Sequence, residues 1–457
     1  MTQDPNSFFS RIRRSIFTDV VFPQAGSERK RSVFDNLILH IHPRTAPGKT
    51  LKFTLTWGLG GMPLVLVMLL ALTGILLLFV YEPSPDKAYA SILILQRDVP
   101  FGQFIRNIHH WSGNILVILS FLHLLRVYFT GAFYNARQFN WVIGVFLFFL
   151  VIFSNFTGYL LPWDQLAFWA ITICTGMLEY IPGMGLWLQK IIRGGPEIGP
   201  PTLAIFFALH IAVLPILLFA IMPFHFWRVR KAGGVVIPRE IGEPSEEKGR
   251  FVPTIPNLVL REGVVTLVLI AFVLLYAILF NAPLEEQANP GMSPNPAKAP
   301  WYFLGVQELL LHFHPLFAVF VIPLLATLLC FLLPYFKYES PMPGVWFYSA
   351  KGRRMGVVAA LTALVVTPFM IVADEYVINF SEWMPGIPQL VSNGLVPVSI
   401  LLILLTVFFV WIKRKYAATK DETIQALFIF LLVAFLVLTV TGIWFRGEGM
   451  GLTLPLP

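Results

Sequence analysis

Two apolar stretches carry paired histidines. In Arg106 to Arg126 (RNIHHWSGNILVILSFLHLLR), His109 and His123 lie 14 residues apart; in Leu209 to Arg230 (LHIAVLPILLFAIMPFHFWRVR), His210 and His225 lie 15 apart. At about 100° and ~1.5 Å per helical residue, a 14-residue step returns to nearly the same face ~21 Å along the axis. Each stretch therefore presents two imidazoles on one face, near opposite sides of a hydrocarbon layer ~30 Å thick. Two such helices facing each other can clamp two flat metal macrocycles, one above the other, because imidazole is a common axial ligand of haem iron. A lone histidine in an apolar helix is more often a packing residue, but an ionisable group inside a membrane is a functional candidate by default. Four at matched spacing favour ligation.

Two further pairs repeat the spacing. Gly60 and Gly74 are 14 residues apart, as are Gly144 and Gly158. A glycine on a helix face lets a bulky planar group approach the backbone. Small-residue packing between membrane helices would explain either pair alone; matched to the histidines, the glycines read as clearance for two stacked macrocycles. His110 competes with His109, but it points about 100° round the helix and has no partner 14 residues on. Arg106, Arg126 and Arg230 stand at the ends of these stretches, where a guanidinium fork suits a carboxylate such as a haem propionate. Ordinary interfacial anchoring explains each arginine singly as well.

The elements that must position these residues follow from hydropathy. The chain has 457 residues, 56% hydrophobic and 13% charged, with mean hydropathy +0.72, the composition of an integral membrane protein. Apolar runs of spanning length fall at roughly 55–81, 104–129, 140–161, 203–227, 263–281, 315–335, 355–373, 394–412 and 423–444. The net charge of +8 is not gathered into a nucleic-acid-binding patch. Most Lys and Arg fall in the N-terminal region and alternate loops, which the positive-inside rule places in the cytoplasm of a bacterial inner membrane. The N-terminus is then cytoplasmic and the C-terminus outside. Cys174 and Cys330 lie in apolar surroundings, with no CxxCH for covalent haem attachment. The expected fold is all-α and integral to the membrane: a four-helix dihaem bundle followed by about five further transmembrane helices. Its parts are an amphipathic surface segment at 1–54, the bundle at 55–234, a polar linker at 235–262 and a C-terminal transmembrane domain at 263–457.

The runs RNIHHWSGNILVILSFLHLLRVYFTGAF, FSNFTGYLLPWDQLAFWA and LHIAVLPILLFAIMPFHFWRVRKAGG together resemble cytochrome b of the bc1/b6f family, over about residues 30–235. APWYFLGVQELL at 299–310 is similar to that family's PEWY quinol-site motif. The resemblance implies two non-covalent b-type haems, the outer, low-potential one on His109 and His210 and the inner, high-potential one on His123 and His225. It implies quinol oxidation at the outer face, between the Gly158 to Trp169 segment, with Pro162 and Trp163, and the turn of Pro300, Trp301, Tyr302 and Phe303. A second quinone site would lie on the inner side, near the N-terminal surface segment. The implied activity is a proton-translocating Q cycle in a quinol–cytochrome c oxidoreductase, with a Rieske-type iron–sulfur subunit, a cytochrome c-type acceptor and a homodimeric complex.

Three departures matter. Pro300 stands where the PEWY motif has Glu, so another group must accept the quinol's proton; Glu308 and Asp164 are the carboxylate candidates, beside Tyr302. That loss leans toward menaquinone. Gly58 stands where the b6f branch attaches an extra haem through Cys, so no covalent third haem is expected. Five helices follow the linker where the family has four or three, and the ninth, ending in WFRGEGMGLTLPLP, is without an assigned role beyond docking an accessory subunit. His312 and His314 read as interfacial packing, Asp374 and Glu375 as inert carboxylates at a membrane edge. The rival reading is a transporter or proton channel with a buried His relay, which leaves the glycine spacing unexplained.

Overall fold

The computed structural model describes residues 11–12, 45–238, 250–339 and 344–454. Apart from Arg11 and Ile12, the surface segment up to residue 44, with His40 and His42, lies outside the described residues, as does the middle of the polar linker. Among the described residues, eight helices are long and apolar enough to cross a membrane, and a ninth, α1 (Met62–Leu78), is apolar but shorter. The eight are α2 (Gly102–Phe129), α3 (Asn135–Tyr159), α4 (Pro200–Lys231), α5 (Thr254–Leu279), α6 (Leu316–Tyr335), α7 (Ala350–Tyr376), α8 (Val391–Tyr416) and α9 (Lys420–Trp444). Every apolar run read from the sequence is one of these nine.

Two boundaries differ from the hydropathy reading. α1 starts at Met62 rather than near 55, because Trp57 (φ 52°) and Gly58 (φ 69°) turn left-handed before it and Pro63 opens the helix, where its missing N–H is not needed. At Gly58 a Cβ would sit 2.9 Å from Val265 Cγ1, so glycine is needed for both turn and contact. α5 starts at Thr254 rather than 263. Arg261 and Glu262 interrupt the hydropathy window without interrupting the helix, and the Arg261 guanidinium is held by the Leu51 carbonyl. The linker is correspondingly shorter, and Phe251–Pro253 at its end pairs antiparallel with Thr45–Pro47.

One buried cluster joins α1 to α5: Leu66, Val67, Ile108, Leu116, Val151, Leu218 and Val273 belong to it, with Trp301 and Tyr302 packed on its edge. α5 thus completes the core of the histidine bundle rather than standing apart with the C-terminal helices. A second cluster, around Phe133, Trp141, Met355, Ile412 and Ile429, joins the ends of α2 and α3 to α7, α8 and α9. A third, with Leu160, Trp163, Phe168 and Phe206, seats the short helix Gln165–Gly176 against α4. α9 is started by a capping box in which Thr419 and Glu422 satisfy each other's backbone N–H.

Candidate functional site

α2 and α4 turn their histidines toward each other at two levels. The rings of His109 and His210 are 6.1 Å apart between centroids at 71°, and those of His123 and His225 are 6.5 Å apart at 82°. A metal–imidazole bond is about 2 Å, so two such bonds plus the half-widths of two rings fill each gap. α1 supplies Gly74, the turn before it Gly60, and α3 supplies Gly158 and Gly144, at the same levels. A Cβ on Gly74 would lie 3.3 Å from His109 Cε1 and one on Gly158 only 2.5 Å from His210 Cε1; on Gly60 and Gly144 the distances to His123 and His225 would be 3.2 and 3.4 Å. All four glycines therefore face an imidazole, one each. The residues fit a bis-histidine group at both levels.

The 15-residue step in α4 has a local cause. Leu209–Val213, which contains His210, is a π turn, a wide turn that takes up one extra residue and is frequent at functional sites. Pro215 follows directly and has no N–H to keep the ladder regular. The π turn absorbs the extra residue and leaves His210 and His225 on one face.

Hydrogen bonds orient the outer pair. His210 Nδ1 lies 2.9 Å from the Ser154 carbonyl oxygen; a carbonyl only accepts, so Nδ1 carries the proton and the Nε2 lone pair is free. Thr73 Oγ1 lies 2.9 Å from His109 Nδ1 and donates its single proton to the Leu69 carbonyl, so again Nδ1 donates. This outer bond is the usual device for fixing the tautomer and ring orientation of a metal-ligating histidine. At the inner level the buried Nδ1 atom of His123 makes no hydrogen bond. His110 instead packs edge-on against Trp111 and sits beside the Asn114 amide, which leaves His109 as the residue facing His210.

The arginines are busier than their sequence positions suggest. Arg106 is buried and donates to the Ala282 and Pro283 carbonyls at 2.9 and 2.6 Å; Arg126 donates to the Leu55 carbonyl at 3.2 Å. Each guanidinium has five donors, so these bonds leave capacity for a carboxylate. Arg230 is half-buried at the end of α4.

At the outer end, the PWDQ turn is sewn to the α5–α6 connection. Trp163 has φ 53° and its carbonyl accepts from Ala288 N. Asp164 caps the helix Gln165–Gly176 by accepting from Ala167 N at 2.9 Å, and its other oxygen accepts from Glu285 N at 3.2 Å. Burial raises the Asp164 pKa, and those two bonds together with Arg106 offset part of the rise. Gln165 accepts from Asn289 N at 2.6 Å. The Trp301–Phe303 turn follows Pro300 and docks on α2 and α3: Trp301 Nε1 donates to Asn114 Oδ1 at 2.6 Å, and Phe303 meets Phe156 edge-on. The Tyr302 hydroxyl is buried with no partner, an expensive state for a polar group that a bound ligand would relieve. A cleft of about 430 Å³ lies between the end of the Gln165–Gly176 helix and the segment after the Trp301–Phe303 turn, lined by Ile173, Gly176, Met177, Glu179, Tyr180, Leu310 and Pro315.

Glu308 is placed differently from the proton-accepting role considered for it. It is completely buried, and Arg446 Nη2 reaches its Oε1 at 2.6 Å while Nε lies 3.0 and 3.1 Å from its two oxygens. His312 Nε2 lies 3.3 Å from Glu308 and Nδ1 2.6 Å from Asp374, and Arg446 Nη1 reaches Glu375 at 2.9 Å. Burial alone would raise the Glu308 pKa, but the bonds to His312 and Arg446 lower it. Leu310, two residues on and so about 200° round the helix, is the one that lines the cleft. Glu308 therefore faces Arg446, and the placement argues against its taking the quinol's proton. His312, Asp374 and Glu375 join Glu308 and Arg446 in one ion cluster, rather than serving as interfacial packing and idle edge charges. Glu308 and His312 are four residues apart, but the other contacts of the cluster join residues 62 to 138 apart, which no short-range spacing signals.

Comparison with known proteins agrees with this geometry. The family model described as Cytochrome b/b6/petB matches residues 47–233. The chain is 34% identical over 315 residues to the cytochrome b subunit of a cytochrome bc complex from Chlorobaculum thiosulfatiphilum, covering 68% of this chain and 70% of that one. It is 40% identical over 192 residues to cytochrome b6 of Heliobacterium modesticaldum, covering 42% and 88%. A solved structure titled hyperthermophilic respiratory Complex III superposes with a TM-score of 0.62 at 23% identity, covering 93% of this chain and 99% of that chain, a likeness of fold. On the identity and coverage shared with the Chlorobaculum thiosulfatiphilum subunit, the chain belongs to the cytochrome b family.

Proposed function

We propose that this chain links an outer quinol-oxidising site to an inner quinone-reducing site through two b-type haems, one at each histidine level. It is the multi-pass cytochrome b core subunit of a quinol–cytochrome oxidoreductase complex, and family membership removes the transporter reading. The single observation that carries the two-haem reading is the doubled tier: two facing imidazoles, each with a glycine against it, at both ends of α2 and α4. Bound haem supplies a one-electron carrier at each level. His109 and His210 would hold the outer group and His123 and His225 the inner one, with Arg106 at the outer end and Arg126 and Arg230 at the inner end as the cations nearest the propionates.

At the outer site the chain's own residues bind and orient quinol. The unpartnered Tyr302 hydroxyl hydrogen-bonds a quinol oxygen. Pro162, Trp163, Pro300, Trp301 and Phe303 form walls that exclude water. Asp164 holds the PWDQ turn against the α5–α6 connection. A Rieske-type subunit and a cytochrome c-type acceptor complete turnover, the complex is a dimer in a bacterial cytoplasmic membrane, and the N-terminus faces the cytoplasm in accord with the Lys and Arg distribution. Menaquinol is the favoured substrate because Pro300 replaces the carboxylate of the PEWY motif. The test is anaerobic addition of menadiol to the purified oxidised complex. Reduction of b-haem absorption is expected; haem bands that dithionite reduces and no quinol does would remove the quinol assignment.

A further inference from the structure

The outer end of the ninth helix and the segment after it are bonded to the connection that leads into the Trp301–Phe303 turn. Lys298 Nζ donates to the Ile443 carbonyl at 2.9 Å, and Gly449 N donates to Asn295 Oδ1 at 2.6 Å. A Cβ on Gly305 would meet Phe435 and Thr439 at 2.7 Å, and one on Gly442 would meet Leu304 Cβ at 3.2 Å, so two backbones approach closely there. Between these contacts lies the Arg446–Glu308 pair, with both side chains wholly buried. From Glu308 the connection continues through the adjacent Gln307, which accepts from Ala299 N and donates to the Ala297 carbonyl at 2.7 and 2.9 Å. Those residues lead directly into Pro300 and the Trp301 indole, which is tied to Asn114 on the histidine helix α2.

A buried ion pair is a poor source of stability, since desolvation of both charges consumes most of the attraction; its best-attested use is to fix register. The Arg446 fork is suited to that task, because two parallel bonds to a carboxylate set direction as well as distance. Its third contact, to Glu375 on α7, and its bond to the Met450 carbonyl prevent the guanidinium from swinging.

We infer that Arg446 is a positioning residue of the outer quinol site, acting through Glu308 to set where the Trp301–Phe303 turn stands against α2 and α3. This gives the ninth helix a role inside the chain, and it rests on the outer-site reading proposed above. The test uses the whole purified complex with menadiol as substrate, comparing wild type, Arg446→Lys and the double variant Glu308→Gln with Arg446→Gln, which leaves neither half of the buried pair behind as a charge without the other. Lysine keeps the charge but loses the fork. Displacement of a binding group by ~1 Å can cost about 100-fold, so KM for menadiol is expected to rise about ten- to hundredfold in both variants, more than kcat falls. Haem content and the two haem potentials should stay at wild-type values. A menadiol KM within about twofold of wild type in both variants, with haems intact, overturns the inference. Loss of both haems in both variants also overturns it, because the pair is then a general folding element. Wild-type complex that menadiol fails to reduce would instead sink the outer-site reading itself.

Discussion

The Ser154 carbonyl oxygen lies 2.9 Å from His210 Nδ1, and Ser154 stands one turn before Gly158, whose Cα faces the same ring. One turn of α3 thus both orients the outer ligand and makes room for it. Gly158→Ala is expected to be the most damaging of the four glycine changes, since its Cβ would come within 2.5 Å of His210 Cε1, against 3.4 Å for Gly144 and His225. Pyridine haemochrome analysis of purified complex should show about half the haem lost in Gly158→Ala, with Gly144→Ala near wild type. Equal loss from both would contradict the ranking.

Tyr302→Phe separates binding from folding. The hydroxyl has no partner within the protein, so removing it relieves a buried unsatisfied group and leaves stability unchanged or slightly higher. Quinol binding should weaken by about three- to tenfold, the worth of one hydrogen bond, read as KM for menadiol. A lower melting temperature with unchanged KM would mean the hydroxyl serves the fold.

Asp164 is read as a cap rather than a base. Asp164→Ala removes a helix cap worth ~1 kcal/mol and frees the Glu285 amide, so thermal stability and quinol oxidation should fall together. Asp164→Asn retains an acceptor oxygen and should keep most of both. If the Asn variant is as slow as the Ala variant while its stability is preserved, Asp164 handles a proton.

His312 supplies a pH dependence. Burial alone would lower its pKa, but the bonds to Asp374 and Glu308 outweigh it and raise the value to about 9, above the ordinary 6.5. The folded state therefore binds this proton more tightly than the unfolded chain. Its contribution to stability is complete below about pH 6.5 and is lost as pH rises through about 9. Melting temperatures from pH 6 to pH 10 should show that loss in wild type, and His312→Gln should lack it. An identical pH profile in the variant would show that His312 is neutral in the folded protein.

The histidine tiers were legible in the sequence because helical geometry converts a 14-residue spacing directly into a shared face, and His and Gly mark faces that apolar residues leave blank. The nine helices were legible for the same kind of reason, since hydropathy is local. What was hidden depends on contacts between distant segments. Nothing near Glu308 announces Arg446, 138 residues on, so the sequence offered this carboxylate as a proton-acceptor candidate without showing its ion pair. The π turn at Leu209–Val213 was visible only as a step of 15 instead of 14. Arg106 and Asp164 share that limitation: both hold the α5–α6 connection, which the sequence places more than a hundred residues away.

The account stands most directly on one redox-titrated visible spectrum, taken of the purified complex as wild type, His123→Ala and His210→Ala. It predicts two b-type components of separate potential in wild type, the higher-potential one lost in His123→Ala and the lower-potential one lost in His210→Ala. One component in wild type, or the same component missing from both variants, would contradict the two-level arrangement.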